Sequence, residues 1–139
     1  MRSYSYLMSD QGVQTGHYVE LLESKLVQLI QLLLDQVEID EDWYLAENSD
    51  VATAVRQGAL SSAREHYIKS GYFENRMPRP IIVDEVWYLK EYSDVAEAMK
   101  YGAFINAQQH FNVNGFKEGR LPSAGWSLVS NTSKLKYAA

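Results

Sequence analysis

Apolar residues between Tyr18 and Gln36 fall at helical spacing. Val19, Leu22, Leu26, Leu29 and Leu33 are separated by 3, 4, 3 and 4 residues, a heptad stripe. Val27, Ile30, Leu34 and Val37 make a second stripe on another face. A helix that is apolar on two faces has to be covered twice. The pattern therefore predicts one amphipathic helix over 18–37, with its second stripe laid on the body of the chain. The first stripe, Leu22, Leu26, Leu29 and Leu33, is left for a partner, most simply a second copy in a two-fold dimer.

Beyond this helix the pattern changes to short apolar clusters separated by Gly, Pro and small polar residues, and it occurs twice. From Asp40 the chain reads DEDWYLAENSDVATAVRQGALSSAREHYIKSGYFENRMP, and from Asp84 it reads DEVWYLKEYSDVAEAMKYGAFINAQQHFNVNGFKEGRLP. The two align without a gap at a period of 44, with roughly 19 identical positions, in the size range of structural repeats. Each copy predicts about three short helices. Asp40 and Asp84 stand where an N-cap belongs. Ser49 and Ser93 are expected to cap the second helix, and Gly58 and Gly102 to end it through a left-handed backbone. Ser61 or Ser62, matched by Asn106, caps the third, which Gly71 and Gly115 close. Pro78 and Pro122 mark the ends of the copies. The expected core is Trp43, Leu45, Val51, Val55 and Tyr67, with Trp87, Leu89, Val95, Met99 and Phe111 as equivalents.

No stretch alternates as a strand should, so the fold class is all-α: an N-terminal long amphipathic helix followed by two tandem repeats of about three short helices each. The divisions are a flexible arm at 1–17, the helix at 18–37, repeats at 38–80 and 81–124, and a tail at 125–139. The tail is either disordered or an extended segment lying on the body or on a partner; composition does not choose between them.

Composition narrows the function classes. The net charge of −5 and pI near 5.1 argue against nucleic acid and anionic membrane surfaces, which need clustered Lys and Arg. There is no cysteine, hence no disulfide framework and no thiol chemistry. The most apolar run, Leu26 to Leu34, is broken by Gln28 and Gln31 and is too short to span a bilayer. The start carries no export signal, and a cytoplasmic location is expected.

Candidate chemistry is sparse. His66 and His110 occur once per repeat, each followed by an aromatic, and read as helix-interface imidazoles bonded to a neighbour. Neither repeat offers an HxxxH or HxH pair, His17 stands alone, and no metal or other cofactor is expected. Asp40, Glu41, Asp84 and Glu85 read as helix-capping acids. Glu74 with Arg76, and Glu118 with Arg120, recur together with Asp50 and Asp94. An arginine returning to a carboxylate of its own repeat would clamp the last loop to the second helix; the second reading is capture of an anionic ligand by Arg76 and Arg120. Trp43, Tyr44, Trp87 and Tyr88 could stack a sugar ring. Adjacent helical positions point about 100° apart, so one ring of each pair would lie near the surface, with Tyr44 and Tyr88 as candidates. Nothing assembles a catalytic site, and no catalysis by the chain alone is expected.

The run WYLxExSDVAxAV, a Gly, SAxxHY and GxxExRxP resembles a short tandem helical repeat of bacterial proteins. Such repeats stand beside glycosyltransferase domains and in large surface or secreted proteins. The resemblance covers about 40–80 and 84–122. It departs from the family pattern at Ser49 and Ser93, where the family often has Pro, and at Asn75, where Gly119 keeps the usual Gly. It implies a docking, spacer or assembly module that binds a protein partner, in a polysaccharide or envelope context, with a glycan-binding module or an accessory subunit of an enzyme as the alternatives.

Overall fold

The structure, a computed structural model, describes residues 1–4 and 20–129. Every long regular element among them is helical, and no strand forms. The first helix, α1, spans Glu23–Leu34, 12 residues rather than the expected 18–37. Leu22 precedes it with an extended backbone and offers no side-chain cap. At the other end Gln36 and Val37 bond back three residues, to the carbonyls of Leu33 and Leu34, and this tight turn stops the helix. Tyr18 and Val19 lie outside the described residues.

Seven-residue α2 (Glu41–Glu47) and eight-residue α3 (Ser49–Arg56) follow, then a short α4 (Ala63–His66) that widens into a π-helical stretch, Tyr67–Gly71. The second segment supplies α5 (Glu85–Glu91), α6 (Ser93–Lys100), α7 (Ala107–His110) and the π stretch Phe111–Gly115. Each bound lies 44 residues after its counterpart.

Local chemistry explains these starts and stops. Asp40 and Asp84 accept from the Trp43 and Trp87 amides at 3.0 and 3.1 Å. Ser62 and Asn106 cap α4 and α7 by accepting from Glu65 N and Gln109 N. The Glu65 and Gln109 side chains reach back to the amides of Ser61 and Ile105. Glu41 accepts from Ala63 N at 2.9 Å, so an acid of α2 caps α4. Ser49 and Ser93 are not caps: Asn48 and Tyr92 hold the cap positions, without a side-chain bond.

Gly58 and Gly102 do end α3 and α6 with φ of +75° and +76°. Gly71 and Gly115 are, as expected, the last residues of the third helical stretch, but neither has a left-handed backbone. The left-handed stop comes four residues later, at Asn75 (φ +58°) and Gly119 (φ +73°). What Gly71 and Gly115 supply is room: a Cβ at either position would collide with the hydroxyl of Tyr44 or Tyr88.

The core is aromatic. Tyr44, Tyr67, Tyr72, Tyr88 and Phe111 are fully enclosed with Leu34, Val37, Val51 and Val95. Edge-to-face contacts join Tyr44 to Tyr67 at 5.8 Å and Tyr88 to Phe111 at 6.1 Å. Trp43 and Trp87, expected in this core, pack only against its rim and remain half-buried, as do Leu45, Val55, Leu89 and Met99. Their aromatic neighbours took the inward direction.

α1 lies on the π stretch of the first segment through Ile30 and Leu34, continued by Val37. The second segment receives Ile81 at the place of Val37: Arg64 donates to the Val37 carbonyl, and Gln108 donates to that of Ile81. Residues 1–4 are docked rather than loose. The Met1 amino group donates to Ser127 Oγ at 2.6 Å, and its carbonyl accepts from Leu128 N. Tyr72 Oη donates to the Arg2 carbonyl at 2.7 Å, and Arg2 donates to the Gly119 carbonyl. Tyr4 packs edge-on against Phe73 at 5.0 Å. This strand-free clasp ties Tyr72 and Phe73 of the first segment to Gly119 of the second and to the chain at 126–129. The rest of the expected arm, with His17, and the tail from Ser130 lie outside the described residues.

Candidate functional site

The two histidines face inward, each to a tyrosine of its own segment. His66 Nδ1 is 3.0 Å from Tyr44 Oη, and His110 Nδ1 is 2.9 Å from Tyr88 Oη. Burial, with Arg76 or Arg120 nearby, holds both imidazoles below their ordinary pKa. Burial raises both tyrosines above theirs. The pairs are therefore neutral and bonded, as interface imidazoles. Tyr44 and Tyr88 have no exposed surface, so neither meets a sugar ring or any other ligand. No group of three His, Asp or Glu stands together in metal-binding range among the described residues.

The arginines close a clamp. Arg76 grips Asp50 with two parallel bonds of 3.0 and 2.8 Å, takes Glu74 on Nε at 2.6 Å, and donates to Asn48 Oδ1. Arg120 grips Asp94 at 2.8 and 2.6 Å, takes Glu118 at 2.7 Å, and lies 4.9 Å above the Tyr92 ring. These bonds tie the loop after each π stretch to the first turn of α3 or α6. They hold Asp50 down to about 2 and lower Asp94. Most of the N–H groups that an anionic ligand would use at these positions are thereby taken. Each guanidinium is already met by two carboxylates, so each cluster is net negative.

Apolar side chains are exposed at the outer face of α1 and just before it, and separately at Ile82, Val86, Tyr101, Ile105 and Val113. Leu22 is 71% exposed and Leu32 73%, with Leu21, Leu29 and Leu33 each above half. Leu26, expected on this face, is half-buried and packs against the core. At 100° per residue Leu26 is turned about 60° from Leu29 toward the buried stripe, while Leu32 is turned about 60° the other way, into solvent. The heptad reading thus chose Leu26 and missed Leu32 and Leu21. A strict 3.6-residue wheel would have found Leu32, while Leu21 lies before the helix, where no wheel applies. Beside Leu32 a groove of about 570 Å³ is lined by Gln28, Gln31, Asp35 and Ile68.

No family model, curated protein or solved structure matches the chain. The functional reading rests on geometry. Trp43 stands between two open crevices at the junction of the segments, of about 230 and 220 Å³, which share Trp43, Met77 and Asn112. Asn112 carried no signal in the sequence, because only the fold brings it across from the second segment to Trp43. No helix among the described residues is long and apolar enough to cross a membrane.

Proposed function

We propose that this chain is a non-enzymatic helical-repeat adaptor and assembly module that self-associates through the outer face of α1. In this reading the chain is built as a long docking helix and two repeats. The setting suggested by the repeat resemblance is bacterial polysaccharide or envelope assembly, where the body would present a protein partner.

One observation carries the proposal: five exposed leucines at α1, of which Leu29, Leu32 and Leu33 lie on the helix and Leu21 and Leu22 just before it. Fully burying a leucine is worth roughly 1.5–3 kcal/mol, and a contiguous exposed apolar patch of this kind marks an interaction surface. A second copy fits the face well. Two copies related by a two-fold axis would meet leucine on leucine, with Lys25 and Asp35 as charged neighbours of the apolar stripe. The other stripe of the helix is occupied by the chain's own core, which leaves the outer stripe as the available seam.

Sedimentation velocity tests this. The wild-type protein is expected to sediment as a dimer at tens of micromolar, and Leu29→Asp with Leu33→Asp as a monomer with unchanged helical circular dichroism. These positions are preferred to Leu26, whose contact with the core would confuse dissociation with unfolding. A wild-type protein that stays monomeric at that concentration rules out self-association.

A further inference from the structure

We propose that the outer face of the second segment, around α7, binds the same face of a second copy of this chain, in a two-fold contact separate from the α1 seam. Ile82 is 79% exposed, Val86 83%, Ile105 82% and Val113 55%. These side chains belong to one surface. Gln108 holds the preceding chain on α7, donating to the Ile81 carbonyl at 2.8 Å and accepting from Val83 N at 2.9 Å, so Ile82 lies beside that helix. Gln109 accepts from Ile105 N at 2.7 Å, and Val113 comes one turn later, so Ile105, Gln109 and Val113 form a row. Ile82 lines one crevice and Val113 the next, with Asn112 shared between them. Val86 is in the first turn of α5, which packs on α7.

The first segment is an internal reference for this face. At the same places it has Glu38, Asp42, Ser61 and Lys69. Its row is a polar ladder: Ser61 donates to Glu65, and Glu65 pairs with Lys69. The second segment has Ile105, Gln109 and Val113 instead. Arg64, which donates to the Val37 carbonyl, is likewise replaced by the neutral Gln108. Tyr101, 82% exposed, stands where the first segment has Gln57. No large apolar side chain of residues 38–80 is exposed in this way. The same backbone therefore forms with polar residues at every one of these positions, so folding does not require the apolar ones. Exposed apolar side chains with the charges removed from among them are the composition of an interface core.

Charge selects the occupant. A two-fold contact sets residues near the axis against their own copies, so a charge there meets its like. The first segment's version of the face, with Glu38, Asp42 and Glu65, would oppose such a contact. The second segment's version has lost all three carboxylates, and Arg64 and Lys69 with them. In a chain of net charge −5, this is a face through which two copies meet with little repulsion. A charged partner would instead call for countercharges, which the face has given up. The acids that adjoin it are Asp84 and Glu85. Asp84 accepts from Trp87 N, and Glu85 corresponds to Glu41, which caps the start of α4. Both therefore lie at the starting end of α7. Antiparallel pairing sets them beside the Val113 end of the other copy, apart from that copy's acids.

The experiment uses the full chain carrying Leu29→Asp and Leu33→Asp, so that the α1 seam does not contribute. Methyl NMR spectra are followed from tens of micromolar to millimolar protein. The Ile82, Val86, Ile105 and Val113 methyl resonances are expected to shift saturably as a weak dimer forms. Isotope-filtered spectra of mixed labelled and unlabelled protein should show contacts between face methyls of the two copies. Added salt should strengthen the association, since it screens the net charge and no ion pair is at stake. Ile82→Glu, Ile105→Ser and Val113→Lys together should raise the dissociation constant about tenfold or more. Each copies the residue that the first segment already carries, and Ile82→Glu alone should act in the same direction. In the chain with α1 intact, the face variant should stop at the α1 dimer, whereas the unaltered chain goes on to a tetramer at millimolar concentration. A wild-type monomer at tens of micromolar would sink the α1 reading and leave this one standing on its own methyl shifts. The proposal is overturned if those methyls do not respond to concentration, or if the face variant associates as strongly as its parent. Intermolecular contacts that run from Val113 to the α1 leucines overturn it too, because the pairing would then be head to tail.

Discussion

At the scale of single residues, burial decides which polar groups matter. Tyr67 is fully enclosed, and its hydroxyl has no partner among the described residues. The second segment has Phe111 in the same place. Tyr67→Phe is therefore expected to leave stability unchanged or raise it by about 1 kcal/mol, and Phe111→Tyr to lower it, as read by urea denaturation. The histidines set a pH response. Both have folded pKa values below the ordinary 6.5, so below that pH the unfolded chain takes up protons that the folded chain refuses. Their contribution is complete above about pH 6.5 and is lost as pH falls through the lowered values. Asp50 and Asp94, also lowered, add a second loss that begins below their ordinary 3.8. Urea midpoints should fall between about pH 7 and pH 5, and the slope should flatten in the His66→Gln, His110→Gln double variant. A midpoint independent of pH over that range would contradict the buried, neutral assignment.

At the scale of elements, the π stretches and the clamps hold each segment together. Gly71 is the tight point: an alanine there must displace the Tyr44 hydroxyl, which is bonded to His66. Gly71→Ala should cost about 2–3 kcal/mol, the upper range for overpacking. Asn75 is the strained point, with φ +58° where the second segment has glycine. Asn75→Gly should be close to neutral, whereas Asn75→Ala should cost about 1 kcal/mol. The Arg76–Asp50 clamp is partly solvated, with the carboxylate more than half exposed. Arg76→Lys, which gives up the parallel pair of bonds, should therefore cost only about 1 kcal/mol. Thermal melts of these variants rank the two devices directly.

At the scale of the molecule, α1 and residues 1–4 do different work. The inner stripe of α1 completes the first segment's core, and its outer stripe is the proposed seam. Residues 1–4 bind both segments and the chain at 126–129. Tyr72→Phe removes the bond to the Arg2 carbonyl while keeping the ring in its aromatic contacts. It should lower stability by about 1 kcal/mol and raise amide hydrogen exchange at Arg2 to Tyr4 and at Leu128, with α4 unaffected. Exchange that stays as slow as in the wild type would show that the clasp does not depend on this bond.

The sequence by itself determined what depends on near neighbours along the chain. The all-helical character follows from spacing, the caps at Asp40, Asp84 and Asn106 from residue type, with Ser61 and Ser62 left as alternatives until the fold chose Ser62, and the left-handed ends at Gly58 and Gly102 from the freedom of glycine. The Arg76–Asp50 and Arg120–Asp94 pairs were legible because the same three charges return at a fixed period. Only the tertiary structure decided what depends on direction and on contact between distant residues. It turned Tyr44 and Tyr88 inward and left Trp43 and Trp87 on the rim, a choice that adjacent positions on a short helix do not encode. It made Gly71 a point of close approach as well as the end of its helical stretch, because the atom needing the space belongs to Tyr44, far back along the chain. It rotated Leu26 toward the core and Leu32 into solvent, since the buried stripe is fixed by what it packs against. It also set Asn112 beside Trp43 across the junction, a proximity that exists only once the two segments have been packed together.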